Sequence, residues 1–239
     1  MGLRKARAAA MVGLTAKSSG EQERKALLEY MSEHPWNWLS ATDVDGTPIV
    51  WTKDEREGRF RPYPAEKLYL KELVDTFIDP KHKIDIVEKT RQMLLTTTIL
   101  LISLWEILQS EAQRVLLSKI TEDESIELFR DKVRAPWSKM PEWLKEEWPI
   151  TMKPAGVVEA KKTRSVMLAL AENSADREIR GGGASRLIVD EAAFQQNTPN
   201  MVSSAIPMAK KITLITTPMS GTRGGLYIQA LMADEEWKD

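Results

Sequence analysis

The chain has 239 residues, 42% hydrophobic and 29% charged, enough for one substantial α/β domain of ordinary globular composition. A formal net charge of −1 excludes a global basic field as the grip on nucleic acid and leaves only a local patch or an assembled ring. With no cysteine, disulfides, thiolate nucleophiles and cysteine-based zinc sites are excluded, and the two distant histidines, His34 and His82, do not suggest a histidine-rich metal site.

Residues 1–20 are small, basic and polar and are expected to be mobile; no apolar core or cleavage site follows the basic start, so it does not read as a signal peptide. Leu27, Leu28 and Met31 give residues 21–34 a helical apolar face, which Pro35 should end. Residues 40–62, with Asp45-Gly46 and Pro48, suggest a hairpin or irregular lead-in. A helix is expected over 64–78, on the face of Leu68, Leu70, Leu73, Val74 and Phe77, and a strand over 84–88. The apolar stretch 94–108 is interrupted by Thr96, Thr97, Thr98, Ser103 and Glu106; it is too short for a membrane span and reads as a buried helix. A soluble intracellular protein is therefore expected.

A strand over 115–118 is followed by Thr121-Glu122-Asp123-Glu124, a capping-box pattern that should open a helix through Val133. The Pro- and Trp-rich stretch 136–149 suggests a surface excursion. Further strands are expected at 166–170, 187–189 and 211–216, a helix at 201–208, and a loop at 173–185 around Gly181-Gly182-Gly183. Strands alternating with helices predict an α/β fold with a mostly parallel central sheet flanked by helices. Residues 1–40 form an N-terminal lead with a short helix, and 41–239 the principal domain.

Three stretches carry chemistry. In Leu187-Ile188-Val189-Asp190-Glu191 a continuous apolar run, the mark of a strand buried on both faces, ends in two carboxylates. Acids there lie in the crevice where open α/β sheets bind ligands; in nucleotide hydrolases the first holds Mg²⁺ and the next orients or deprotonates the attacking water. The loop Lys89-Thr90-Arg91-Gln92-Met93-Leu94-Leu95-Thr96-Thr97 sits between a strand and a helix N-terminus, where amides and dipole attract anions. It lacks the glycines of G-x-x-x-x-G-K-[ST]: Leu94-Leu95 stands in place of Gly-Lys, the hydroxyl for Mg²⁺ is at Thr96, and the cations Lys89 and Arg91 lie at its start. The strand ending Ile215-Thr216-Thr217-Pro218 presents two hydroxyls able to sense a γ-phosphate.

In this order the motifs resemble the ATPase domain of large terminase subunits, the DNA-packaging motors of tailed bacteriophages and herpesviruses. His34-Pro35-Trp36-Asn37-Trp38-Leu39 with Trp51-Thr52-Lys53-Asp54-Glu55 looks like the family's lead, residues 89–96 its deviant Walker A, 187–194 its Walker B, and 215–218 its coupling motif. The resemblance implies a P-loop NTPase of the additional-strand, catalytic-glutamate type that hydrolyses ATP with Mg²⁺ to drive double-stranded DNA into a procapsid. Asp190 and Thr96 would hold Mg²⁺, Glu191 would be the base, Lys89 or Arg91 would neutralise phosphate, and Thr216 and Thr217, with Pro218, would couple hydrolysis to movement. The family also uses an arginine to complete a site; Arg130 and Arg134 are the candidates. Tyr63 and Pro64 would wall the adenine, with Glu66 where the family often has glutamine. A homo-oligomeric ring, a portal protein and a small terminase subunit are the implied partners, without membrane, in the host cytoplasm. The C-terminal nuclease of full terminases is expected to be absent.

A helicase-like DNA translocase shares the Asp-Glu strand but needs a second ATPase-like lobe. A nucleotide-binding assembly module without hydrolysis would suit the altered loop, but would not need Glu191. Trp36, Trp38, Trp137, Trp143 and Trp148, near prolines, suggest surface packing or a subunit interface, and Lys161-Lys162 and Lys210-Lys211 suggest solvated strand ends.

Overall fold

The computed structural model describes residues 16–54, 57–89, 94–218 and 221–234. Helix α1 (Ala16–Glu33) is followed at once by the short α2 (Pro35–Leu39). His34 therefore does more than end α1: its Nδ1 accepts the Trp36 N–H at 3.1 Å, and Pro35 takes the first helical turn, where an absent N–H costs nothing. Strands β1 (Trp51–Lys53) and β2 (Phe60–Pro62) pair as the small antiparallel ribbon expected of the lead-in. Helix α3 (Leu68–Ile78) begins at Leu68 rather than at Pro64, because Lys67 is extended.

Strand β3 (Ile84–Glu88) precedes α4 (Leu95–Gln109), which is buried along nearly its whole length, as a helix apolar on all sides must be. After β4 (Arg114–Lys119), α5 (Glu122–Phe129) opens with the capping box: Thr121 Oγ1 accepts the Glu124 N–H at 3.3 Å, and the Glu124 carboxylate accepts the Thr121 N–H at 3.1 Å. A π-helical turn, Arg130–Arg134, joins it to α6 (Ala135–Lys139). Then come α7 (Glu142–Glu147), β5 (Ile150–Lys153), β6 (Val157–Ala160), β7 (Ser165–Ala171), α8 (Glu172–Gly182), β8 (Ala184–Asp190), α9 (Thr198–Met208), β9 (Ala209–Thr216) and α10 (Arg223–Ala233).

The seven-stranded sheet runs β3-β9-β8-β4-β7-β6-β5. Its first five strands are parallel, and the β5–β6 hairpin extends it antiparallel beyond β7. Alternation along the central strands divides the interior into two cores. Val115, Leu117, Ile188 and Ile215 pack with α3 and α4, and Leu116, Leu187, Val189, Ile212 and Leu214 pack with α8, α9 and α10. Because five strands are parallel, their C-terminal ends share one edge, and that edge positions the site.

The structure corrects several expectations. Residues 136–149 are no surface excursion: Trp137, Met140, Leu144 and Trp148 are buried in the α4 core, where Trp148 meets the fully buried Trp38 edge to face at 6.4 Å. The tryptophans thus serve intramolecular packing, not a free surface. Residues 172–182 are helix, not loop, since Ala175 and Ile179 one turn apart bury one face. Gly183 ends the helix at φ 66°, with Met208 O only 2.9 Å from where a Cβ would stand. Lys211 is no solvated end. It lies 3.2 Å from buried Asp85 and donates to the carbonyls of Thr76, Phe77 and Asp79. Strands β5 and β6 were not anticipated, and β6 is held by pairing to β7 rather than by a marked pattern of its own. The expectation of mobility for the N-terminus falls largely on residues outside those described. Among the described residues no helix is long and apolar enough to cross a membrane.

Candidate nucleotide site

Four strand ends bring the site together. In register Glu88 of β3 faces Thr216 of β9, Ile215 faces Asp190 of β8, and Val189 faces Ser118 of β4, so the next residues along, Lys89, Glu191 and Lys119, emerge on one edge. Helix α4 begins here and offers Thr96. The Lys89 ammonium donates to Thr96 Oγ1 and lies 3.3 Å from Asp190 Oδ1, and the Thr96 hydroxyl itself donates to the same carboxylate oxygen at 3.1 Å. Asp190 is almost wholly buried, and these partners satisfy its carboxylate there.

Lys119, which no motif marks in the sequence, reaches the other side of the acid pair. Its Nζ is 3.7 Å from Asp190 Oδ2 and 3.3 Å from Glu191 Oε2. Burial pulls its pKa down, but the two carboxylates outweigh burial and hold it above the ordinary lysine value. Glu191 takes φ 58°, a left-handed conformation that residues with a Cβ seldom adopt, and its side chain is 43% exposed. Strain of this kind concentrates at functional sites. The turn is fastened beneath by the fully buried Gln195, whose amide donates to Asp190 O at 2.8 Å and Ser118 O at 3.1 Å and whose carbonyl accepts the Ser118 hydroxyl. Only the sheet order reveals Lys119 and Gln195, since neither lies in a recognisable motif.

The Thr216 hydroxyl, nearly buried, accepts the Ala193 N–H at 3.2 Å and donates to Thr217 O at 3.0 Å, so the end of β9 is tied to the turn after Glu191. Thr217 is partly exposed and Pro218 exposed. On the far side of that turn, the Thr222 hydroxyl donates to Ala193 O and caps α10 by accepting the Gly225 N–H. Gly224 presses on the same turn: a Cβ would stand 2.5 Å from Ala192 O, 2.8 Å from Gln195 O and 2.9 Å from Ala193 O. Gly224→Ala should therefore displace backbone and destabilise the fold by about 1–3 kcal/mol in denaturant unfolding. An unchanged unfolding midpoint would show that α10 does not clamp the turn.

The sequence-predicted phosphate loop is brought to the site at its two ends, by Lys89 and by 94–97. Thr90, Arg91, Gln92 and Met93 lie outside the described residues. Leu94 takes φ 57° and ψ 9°, the left-handed backbone for which the usual loop employs glycine. Leu95 and Thr97 are buried in the first turn of α4. From here a cleft of about 690 Å³ opens between α4, the β1–β2 ribbon and the π turn, lined by Lys89, Leu94–Thr97, Tyr63, Pro64, Glu66 and Lys132 among others. Tyr63 bonds Thr98 through its hydroxyl at 2.9 Å and meets Trp36 edge to face, and burial pushes its pKa up, so its ring is a fixed neutral wall. Arg130 pairs with Glu127 at 2.7 Å and Asp131 at 3.4 Å on an exposed face; Arg134 is exposed as well.

Strand β9 lies between β3 and β8, the strand order expected of an additional-strand P-loop NTPase. Solved structures carry the same fold. The large terminase of bacteriophage HK97 superposes with a TM-score of 0.57 at 13% identity, over 72% of this chain and 37% of that one. The large terminase of a thermophilic bacteriophage gives 0.51 at 14% identity, over 70% of this chain and 43% of that one. The match therefore spans less than half the length of either terminase. No protein family's sequence profile and no curated protein matches the chain.

Proposed function

We propose that this chain is the ATPase part of a viral large terminase, hydrolysing ATP with Mg²⁺ to drive double-stranded DNA into a procapsid. The observation that carries the reading is the convergence of Lys89, Thr96, Asp190, Glu191 and Lys119 on one sheet edge at hydrogen-bond and ion-pair distances. The fold shared with two phage terminases supports it.

The donor set suits Mg²⁺. Asp190 and Thr96 offer two hard oxygens already 3.1 Å apart, and Mg²⁺ is characteristically held by one or two carboxylates with substrate phosphates and water. Substrate phosphates and water would complete the shell. A bound Mg²⁺ would supply charge neutralisation along the phosphates. Lys89, which now shares Thr96 and Asp190, would turn to the phosphates, with Arg91 as a further cation of the loop. Tyr63 and Pro64 would bound the adenine.

Glu191 would accept the proton of the attacking water, and Lys119 would set where its carboxylate rests. Thr216 and Thr217 would report the state of the site to α10 through the Ala193 turn, Pro218 fixing the exit, and Arg130 or Arg134, pointing outward, would complete the site of a neighbouring subunit in a ring. The portal and a small terminase subunit would be the partners of that ring. Phosphate release from MgATP by the wild-type chain and by Glu191→Gln, with and without double-stranded DNA, tests the reading; turnover that survives the substitution would refute it.

A further inference from the structure

Helix α5 does not pass into α6 as a plain α-helix. The Ala135 N–H donates to Arg130 O, five residues back, so Arg130–Arg134 forms a π turn that accommodates an extra residue. Such a turn is less favourable than the α-helix around it and is found disproportionately where function requires it. Lys132 is only 5% exposed, between the outward Arg130 and Arg134, and it lines the same cleft as Lys89, Leu95 and Thr96.

The turn is also anchored. Asp131 holds Lys53 of β1 at 3.0 Å, and Arg130 holds Glu127 at 2.7 Å, which together fix the π segment against the ribbon and against its own helix. A cation presented from a fixed wall suits a polyanion that must lie in one register. Such a cation is needed chemically. The loop has Leu95 where a lysine normally stands. A triphosphate keeps net negative charge after one divalent ion binds.

Resting on the nucleotide reading above, we propose that Lys132, held in cis within the π turn, is a phosphate-binding residue of this cleft, and that it makes the site select triphosphate over monophosphate. Calorimetric titration of ATPγS with Mg²⁺, and of AMP, into wild type, Lys132→Met and Lys132→Gln tests this. The expected result is an ATPγS affinity about tenfold weaker in both variants, with AMP changed by less than about threefold, and Lys132→Arg close to wild type. A packing role alone would weaken both ligands alike or neither.

An acyl-phosphate derivative of ATP, which transfers its acyl group to lysines beside the phosphates, gives a second readout on the wild-type chain if the variants do not fold. Acylation of Lys132 alongside Lys89, suppressed by ATPγS, is expected. Wild-type binding that both variants retain, or acylation of Lys89 without Lys132, would overturn the assignment while leaving the nucleotide site standing. A wild-type chain that binds no ATPγS and is not acylated at either lysine would remove the nucleotide reading, and this inference with it.

Discussion

Glu191→Gln is expected to lower ATP turnover by about two to four orders of magnitude, the typical contribution of a positioned general base, while leaving nucleotide affinity within a factor of about three. Glutamine keeps the shape of the side chain but cannot take a proton from water. It also replaces the 3.3 Å ion pair with Lys119 by a neutral contact, without touching the Lys89–Thr96–Asp190 contacts proposed to carry binding. Because the side chain is 43% exposed and its ion pair with Lys119 lies at the surface edge of the site, the fold should tolerate the change, and thermal unfolding should be near wild type. Single-turnover phosphate release and analogue binding, measured on the same preparation, separate the two effects. Equal loss of binding and turnover would mean that Glu191 serves the architecture of the turn rather than the chemistry.

Lys211→Met carries the largest expected effect on stability, about 3–5 kcal/mol at neutral pH, the usual cost of breaking a buried ion pair from one side. Lys211 sits at the opposite end of the sheet from the site. It satisfies three carbonyls at the C-terminus of α3, those of Thr76, Phe77 and Asp79, and neutralises Asp85 at 3.2 Å. Arg186 assists from the neighbouring strand, donating to Phe77 O and pairing with Glu106. Methionine removes the donor and leaves Asp85 buried without its partner. Burial already raises the Asp85 pKa above the usual carboxylate value, with Lys211 opposing it, so loss of Lys211 raises it further. A raised acid stabilises the folded state most below its unfolded pKa, and that contribution is lost as pH rises through the folded value. The deficit of Lys211→Met should therefore shrink as pH falls from neutral toward about 4. Adding Asp85→Asn should recover part of the stability at pH 7. Urea unfolding of the single and double variants across that range decides it; a deficit independent of pH and of Asp85 would locate the effect in the lost capping alone.

What the residues disclosed in advance were the parts dictated by local pattern. The apolar run 187–189 and its two acids, the capping box at Thr121 and the all-apolar α4 are each set by a few neighbouring side chains, and they lie where expected. The interior alternation of the central strands was not needed to find them. Patterns that depend on distant partners were not legible. Residues 172–182 offer few apolar positions and a run of glycines, and become a helix because the second core covers Ala175 and Ile179. The tryptophans near Pro136 and Pro149 read as surface, yet Trp137 and Trp148 fill space beside α4.

The site shows the same division. Lys89, Thr96, Asp190 and Glu191 stand out as candidates in the sequence because each ends or begins an element with a motif around it. Lys119 and Gln195 belong to the site only because β4 lies next to β8, a fact of sheet order. Lys132 belongs to the cleft by tertiary burial alone, whereas the family resemblance put the emphasis on the exposed Arg130 and Arg134.

The most direct test of the account is calorimetric titration of ATPγS with Mg²⁺ into wild type and Asp190→Ala. Saturable, Mg²⁺-dependent binding is expected of wild type, falling by about a hundredfold or more in Asp190→Ala, because that substitution removes both the proposed cation ligand and the partner of Lys89 and Thr96. Binding of equal strength in the two proteins, or binding indifferent to Mg²⁺, would contradict it.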